Sequence, residues 1–157
     1  MKVSRALVVA SIVLGTVLIV GGLIRPSHAQ NAAGDDLYQP ARALVDQAVA
    51  KVRAGDVVAA FDVLAPAWPI PNNEIDAVKD QTQRQRRMIG QRFGKPLGID
   101  FVRRETAGDR LVQFIFIERF ENHAIAWYFI LYRPDDQWQV DMVFWNDQVS
   151  KLFPTHQ

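Results

Sequence analysis

The sequence predicts an α+β domain in which N-terminal helices pack on a curved, four-stranded antiparallel meander, preceded by a segment for export. Three observations lead to this prediction. The first 29 residues have the basic, apolar and small-residue order of a signal peptide. Apolar residues then recur every three or four positions as far as residue 93, which is typical of helices. After Pro96 the period becomes two, in runs joined by short turns, which is typical of antiparallel strands.

The N-terminal segment begins with Lys2 and Arg5 and continues as an uncharged apolar stretch over residues 6–24. Ser27 and Ala29 are small residues that suit cleavage by a signal peptidase. We therefore expect residues 1–29 to be removed and the protein to be periplasmic or secreted. The apolar stretch is also close to the ~20 residues that cross a bilayer. An uncleaved membrane anchor, with the domain tethered outside, is thus the alternative.

The remaining residues, 30–157, are enough for one domain with one hydrophobic core. Removal of Lys2, Arg5 and Arg25 from the 18 basic residues leaves them outnumbered by the 17 acidic ones, so the mature chain is slightly acidic. This balance argues against nucleic acid and against an anionic membrane surface as partners. The chain has no Cys, so its stability must come from apolar burial rather than from disulfides.

The domain itself is expected at residues 40–154, after a polar lead-in at 30–39. Pro40 suits the first turn of a helix. Gly55 ends this first helix, and Asp56 caps a short second one. The apolar residues with helical spacing in the first helix are Ala41, Leu44, Ala48 and Val52.

A third helix is expected from Asn72 or Asn73 to about Phe93, after a proline-rich break at 65–71. The run RQRR at 84–87 makes this helix basic, and we interpret it as a solvated face. The apolar stripe of the helix is interrupted in the middle. The polar residues at the interruption are Thr82, Gln85 and Arg86.

Four strands are expected at residues 99–106, 110–120, 123–133 and 138–146, with a closing helical turn at 148–153. The second and third strands are apolar on both faces, whereas a strand with one wet face alternates. We therefore expect helices on one face and a second copy of the protein, or another partner, on the other. The expected helix-facing residues are Trp127, Phe129, Leu131, Trp138, Val140, Met142 and Phe144. The expected dimer face is Phe114, Phe116, Tyr128, Ile130, Tyr132, Val143 and Trp145. A register slip would exchange the two faces, so the reverse assignment stays open.

The chain resembles the NTF2-like superfamily, which includes ketosteroid-isomerase-like and SnoaL-like proteins. The resemblance rests on the helix break AGDVVAAF at 54–61 and on the last hairpin, WYFILYR at 127–133 returning as WQVD at 138–141. It implies a cone-shaped fold, a pocket between helices and sheet, and commonly a homodimer through the outer sheet face. Isomerase members carry an oxyanion-binding Tyr in the first helix. Residues 40–53 contain no Tyr, so no isomerase residue is carried over.

Three carboxylates inside predicted strands are the candidates for catalysis: Glu118, Asp141 and Asp100. A carboxylate against aromatic rings can have a raised pKa and act as a general base. The alternative is that these groups pair with Arg across strands or lie at a wet edge. Metal binding is not expected, because His123 and His156 are the only His residues of the mature chain and zinc needs three or four ligands.

A small-ligand pocket is the other candidate site. The polar interruption in the third helix predicts a pocket wall at Gln85, with Gln113 and Arg119 opposite it on the second strand. Convergent polar groups in an apolar cavity are how such sites orient a ligand. The aromatic residues expected to line this pocket are Trp127, Phe129 and Trp138.

The sequence therefore favours a non-catalytic module, without cofactor, that binds a small apolar ligand or serves as a subunit in an envelope assembly. The alternative is a small isomerase- or hydrolase-type enzyme with a pocket carboxylate as base. Burial separates the two. A buried Glu118 or Asp141 that faces a cavity without an Arg partner would favour the enzyme, and a cavity filled by Phe and Trp would favour the interaction role.

Overall fold

The computed structural model describes residues 28–153, with side chains from residue 37 onwards. It is an α+β fold of three helices followed by an open four-stranded antiparallel sheet, so the predicted class and element order are confirmed. The helices are α1 (His28–Arg53), α2 (Val57–Leu64) and α3 (Asn72–Phe93). The strands are β1 (Pro96–Ala107), β2 (Leu111–Phe120), β3 (Ala124–Tyr132) and β4 (Gln139–Asn146), in that order across the sheet. Two short 3-10 turns, η1 and η2, occupy Ala65–Ala67 and Val149–Leu152.

The predicted signal segment, 1–29, lies outside the described residues except for its last two, which begin α1. Within residues 28–153, no helix combines the length and the apolar character that a bilayer crossing needs.

The helix α1 starts earlier than expected, at His28. Pro40 therefore lies inside the helix rather than in its first turn. Tertiary contacts hold the turn before Pro40. The Tyr38 hydroxyl donates to the Gly108 carbonyl at 3.2 Å, and Trp138 Nε1 donates to the Leu37 carbonyl at 3.1 Å. The Tyr38 and Trp138 rings also lie 5.6 Å apart. The expected polar lead-in is therefore helical, and a Tyr does lie in the first helix, although its hydroxyl is already bonded.

The short helix α2 begins at its predicted cap, whereas α3 begins after Pro71 without a side-chain cap. Asp56 caps α2 as predicted, since its carboxylate accepts from the Ala59 N–H at 2.9 Å. Lys79 of α3 lies 2.6 Å from Asp62 of α2 and 3.2 Å from Asp76. Hydrogen bonds to the two carboxylates raise the pKa of Lys79 above its usual value, and the bond to Asp62 has the larger effect. The ion pair thus joins α2 to α3.

The strand register places Phe114 and Phe116 on the helix side of the sheet, so their assignment to the dimer face is wrong. Phe114 lies opposite Phe129, and Phe116 lies opposite Trp127. Residues directly opposite each other in an antiparallel pair share a face. Phe114 and Phe116 are therefore buried in the main core with the two β3 aromatics.

A β-bulge in β4 corrects the second half of the face assignment. Ile130 pairs with Met142, but Leu131 pairs with Val140, so Asp141 is the extra residue. One extra residue exchanges the two faces beyond it. Val143 and Trp145 consequently pack against the main core, contrary to the expected dimer face. Met142 and Phe144 were expected to face the helices, but they lie on the outer face, opposite Ile130 and Tyr128.

The outer face is partly covered by the η2 segment. The turn η2 packs Val149 and Leu152 against a small cluster that includes Ile115 and Tyr128. Arg103 of β1 fastens this segment by donating to the Leu152 carbonyl at 2.6 Å. Tyr128 is therefore buried, although it was expected at the dimer face. The exposed apolar residues of the outer face are Tyr132, Met142 and Phe144, and Leu111, Ile117 and Ile130 of this face are partly buried.

We predict that Trp138→Ala lowers the free energy of unfolding by about 2 kcal/mol, less than the ~3–5 kcal/mol expected for the fully buried Trp127→Ala. Trp138 is half-buried, so its truncation loses less apolar burial. Urea unfolding of both variants measures the difference, and Trp138→Phe isolates the hydrogen bond to Leu37. An equal loss at the two positions would contradict the observed burial.

Candidate functional site

A groove of about 790 Å³ lies between α3 and β4, and we call it the α3–β4 groove. One wall is a stripe along α3. The other wall is the end of β4, and Phe61 of α2 also contributes. The α3 residues of the wall are Val78, Gln81, Thr82, Gln85, Met88, Ile89, Arg92 and Phe93. The remaining wall residues are Val143, Phe144, Trp145, Asn146 and Asp147.

The α3 wall exists because these residues recur every three or four positions along one side of the helix. Apart from Arg92, its ends are apolar, and its middle is polar at Gln81, Thr82 and Gln85, where the sequence shows the interrupted stripe. Met88 is 62% exposed although it lies on this wall. At the C-terminal end of the wall, Arg92 lies 3.5 Å from Asp147 as an ion pair. The groove therefore combines apolar walls with a few polar groups.

A buried charge cluster lies beside the groove, between α3 and the sheet. Arg86 of α3 donates from Nη1 to Glu118 Oε2 at 2.5 Å and from Nη2 to Glu118 Oε1 at 2.7 Å. Trp127 Nε1 donates to Glu118 Oε2 at 2.8 Å. Glu118 is 2% exposed, so both carboxylate oxygens are satisfied by protein donors in the interior.

This arrangement argues against a general base at the predicted carboxylates. Glu118 is buried but has the Arg partner whose absence would have favoured an enzyme. Asp100 is exposed on the outer face and accepts from Arg119 Nε at 2.6 Å. Asp141 is the exposed bulge residue of β4. Asp100 and Glu118 both line a small cleft at the start of β1, but each is bonded to its own Arg, and Asp141 is not part of that cleft, so the three candidates do not form one site.

Only Gln85 of the predicted pocket residues lines the α3–β4 groove. Gln113 lies on the outer face and donates to Glu105 at 2.9 Å, and Arg119 is bound to Asp100 on that face. They are not opposite Gln85, because β2 presents its even-numbered residues to the helices. The aromatic candidates Trp127 and Phe129 are buried in the core, and Trp138 packs against Tyr38.

Sequence reasoning missed Met88, Val143 and Trp145 as groove residues. The exposed Met in an otherwise polar stretch of α3 was an available signal. The β4 residues had none, because their positions depend on the bulge at Asp141.

Two smaller clefts lie elsewhere. One of about 340 Å³ is at the start of β1, and one of about 370 Å³ lies between α1 and β1. In the latter, Arg42 lies 4.0 Å from the Phe101 ring centroid and also pairs with Asp46 at 2.8 Å. Within the described part of the chain, no three His, Asp or Glu side chains gather as a metal site would require.

No protein-family model matches the chain, and neither a curated protein nor a solved structure matches it.

We predict that Glu118→Gln lowers the free energy of unfolding by about 3–5 kcal/mol, because it leaves the Arg86 guanidinium in the interior without a countercharge. Asp100→Asn is the matched control, since it removes the same charge from the exposed pair with Arg119 and should cost less than about 1 kcal/mol. Urea unfolding measures both variants. Similar losses would show that the Glu118 pair behaves as a surface pair.

Proposed function

We propose that the protein is a non-catalytic binding module that holds an apolar or amphipathic ligand in the α3–β4 groove. The observation that carries this proposal is the groove itself, which has about 790 Å³ of volume, mainly apolar walls, and polar side chains gathered in the middle of α3 and around the Arg92–Asp147 pair. Ligand sites of this size and composition bury the apolar part of a ligand and orient it through a few hydrogen bonds. Gln81 and Gln85 offer side-chain donors and acceptors for this purpose, and Asn146 offers its amide N–H groups, since its Oδ1 accepts from the Gln148 N–H at 3.0 Å.

The composition of the groove supports binding over acid–base catalysis. Of the described residues that line it, Asp147 alone carries a carboxylate, and Asp147 is paired with Arg92. The enzyme alternative needs a base that is free to accept a proton from a substrate in the cavity. Glu118 is the buried carboxylate among the three candidates, and its oxygens already accept hydrogen bonds from Arg86 and Trp127.

The proposal includes the setting inferred from the sequence. The basic and apolar N-terminal segment favours action outside the cytoplasm, in the periplasm or the medium. The order of three helices and an antiparallel meander is consistent with the resemblance to NTF2-like proteins. That fold hosts both enzymes and binding proteins, so the choice between them rests on the groove.

We infer further that a second copy of the protein covers the exposed part of the outer sheet face. Tyr132 is 44% exposed and Met142 is 49% exposed, and Ile130 and Phe144 lie beside them. Neighbouring apolar side chains that remain on a sheet face favour association. The η2 segment covers only the other end of this face, over Ile115 and Tyr128.

The neutral fluorophore N-phenyl-1-naphthylamine tests the groove. We predict that the protein binds it with enhanced emission and that Met88→Lys weakens binding about tenfold, the equivalent of about 1.4 kcal/mol. The reason is that Lys places a charge on an apolar wall. Leu97→Lys is the control, because Leu97 is similarly exposed, at 57%, but lies on β1 outside the groove. Absence of binding to the wild type, or equal weakening by both variants, would contradict the proposal.

Sedimentation velocity tests the proposed dimer. We expect the wild type to sediment as a dimer at micromolar concentrations and Met142→Lys to sediment as a folded monomer, because a buried Lys without a partner is costly. Circular dichroism checks that the variant is folded. A wild type that is monomeric at every concentration up to about 100 μM would rule out a dimer in the usual affinity range.

A further inference from the structure

We propose that the natural occupant of the α3–β4 groove is an acidic, extended segment of a partner protein, which pairs with the free edge of β4 as a fifth strand. This inference rests on the proposed function of the groove as a binding site. It adds the form of the ligand and the main-chain contacts that recognise it.

The groove follows the edge of β4 rather than one of its faces. The groove contacts five consecutive residues, from Val143 to Asp147. Successive side chains of a strand point to opposite faces. Val143 packs on the helix side, whereas Phe144 stacks on Tyr128 on the outer side, with ring centroids 4.6 Å apart. A cavity that touches both sets of side chains must run along the strand edge that they share.

This edge of β4 is unpaired. The strand β4 is the last of the sheet order, and β3 is its partner on one side. Within residues 28–153, no further backbone–backbone hydrogen bond involves a residue of β4, whereas the Asp147 carbonyl just beyond it accepts from the Val149 N–H at 3.0 Å. The outward N–H and C=O groups of residues 143–146 are therefore the template that strand addition uses.

The groove is as long as a short extended segment. The α3 wall extends from Val78 to Phe93, which corresponds to about 22 Å along a helix. An extended segment of six residues is about 20 Å long. Such a segment fits between the helix and the strand, with alternate side chains directed toward Val143 and Trp145. A ligand that bound by its side chains alone would leave the outward N–H and C=O groups of β4 without hydrogen-bond partners.

The C-terminal part of α3 is basic. Residues 81–93 contain four Arg and no acidic residue. Arg86 is paired with Glu118, and Arg92 lines the groove with its side chain 74% exposed, in an ion pair with Asp147 at 3.5 Å. Arg84 is exposed and lies one helical turn before Met88, on the same side of the helix. Carboxylates on the bound segment therefore meet a basic helix, as in other modes of acidic-motif recognition.

A blocked hexapeptide of sequence DVTVEV is the probe, measured by isothermal titration and by amide exchange of the full-length protein. Two further peptides carry N-methyl groups on the odd or on the even amides. Only alternate amides of an added strand face its neighbour. We expect one methylated peptide to bind at least tenfold more weakly and the other to bind like the parent. We also expect the parent to protect amides within residues 143–147 from exchange.

Two charge variants test the orientation of the segment. Arg84→Glu should weaken the parent peptide about fivefold or more, because it places a negative charge at the rim of the groove. Arg87→Glu is the matched control and should have little effect. Two residues turn a helical side chain through about 200°, so Arg87 points away from the Gln85 side of α3.

The outcomes separate this inference from the proposed function. If the fluorophore binds but both methylated peptides bind like the parent, the groove binds apolar ligands and strand addition is wrong. If neither the fluorophore nor the peptide binds, both proposals fail. If the amides of residues 143–147 are already protected in the free protein and lose protection on dilution, a second copy occupies the edge and the partner segment is wrong.

Discussion

The fold depends on how one buried charge is satisfied. Glu118 lies in the middle of an apolar sheet face, where an unpaired carboxylate would be strongly destabilising. Arg86 reaches it from α3 with two hydrogen bonds, and the Trp127 indole supplies a third. Few other residues of α3 are buried, and they lie mostly near its ends. The guanidinium therefore fixes the middle of α3 over the sheet. The adjacent side of the helix is left to form the wall of the groove.

The elements of the fold could be predicted from the sequence because their signals are local. Asp56 as an N-cap and Gly94 as the end of α3 act within one turn. The faces of the sheet could not be predicted, because register depends on residues that are distant in sequence. The strand β2 is apolar on both faces, so its period does not say which face meets the helices. One bulge at Asp141 then exchanges the faces of the rest of β4.

The candidate site was predictable only in its type. The interrupted stripe of α3 indicated a polar position on a pocket wall, and Gln85 lies on such a wall. The run at 84–87 was interpreted as solvated, whereas Arg86 is its one member turned toward the sheet. Nothing in the local sequence connects Arg86 to Glu118, which is 32 residues away. Their pairing is decided by the packing of α3, and the same packing decides where the groove opens.

The two edges of the sheet are treated differently, and this difference bears on function. The edge strand β1 has two register irregularities, one between Pro96 and Gly98 and one between Phe101 and Arg103. These irregularities and Pro96 itself discourage pairing with another chain. In β4 the bulge and the charge of Asp141 protect the first half in the same way. The second half has no bulge, and its apolar residues Val143 and Trp145 face a groove. Because α3 lies over this half of β4, another strand can reach the β4 edge from one direction only. The open part of this edge, residues 143–146, lies between the bulge at Asp141 and Asp147, whose carbonyl accepts from the Val149 N–H at 3.0 Å, so it is a short and selective surface rather than a general site of aggregation.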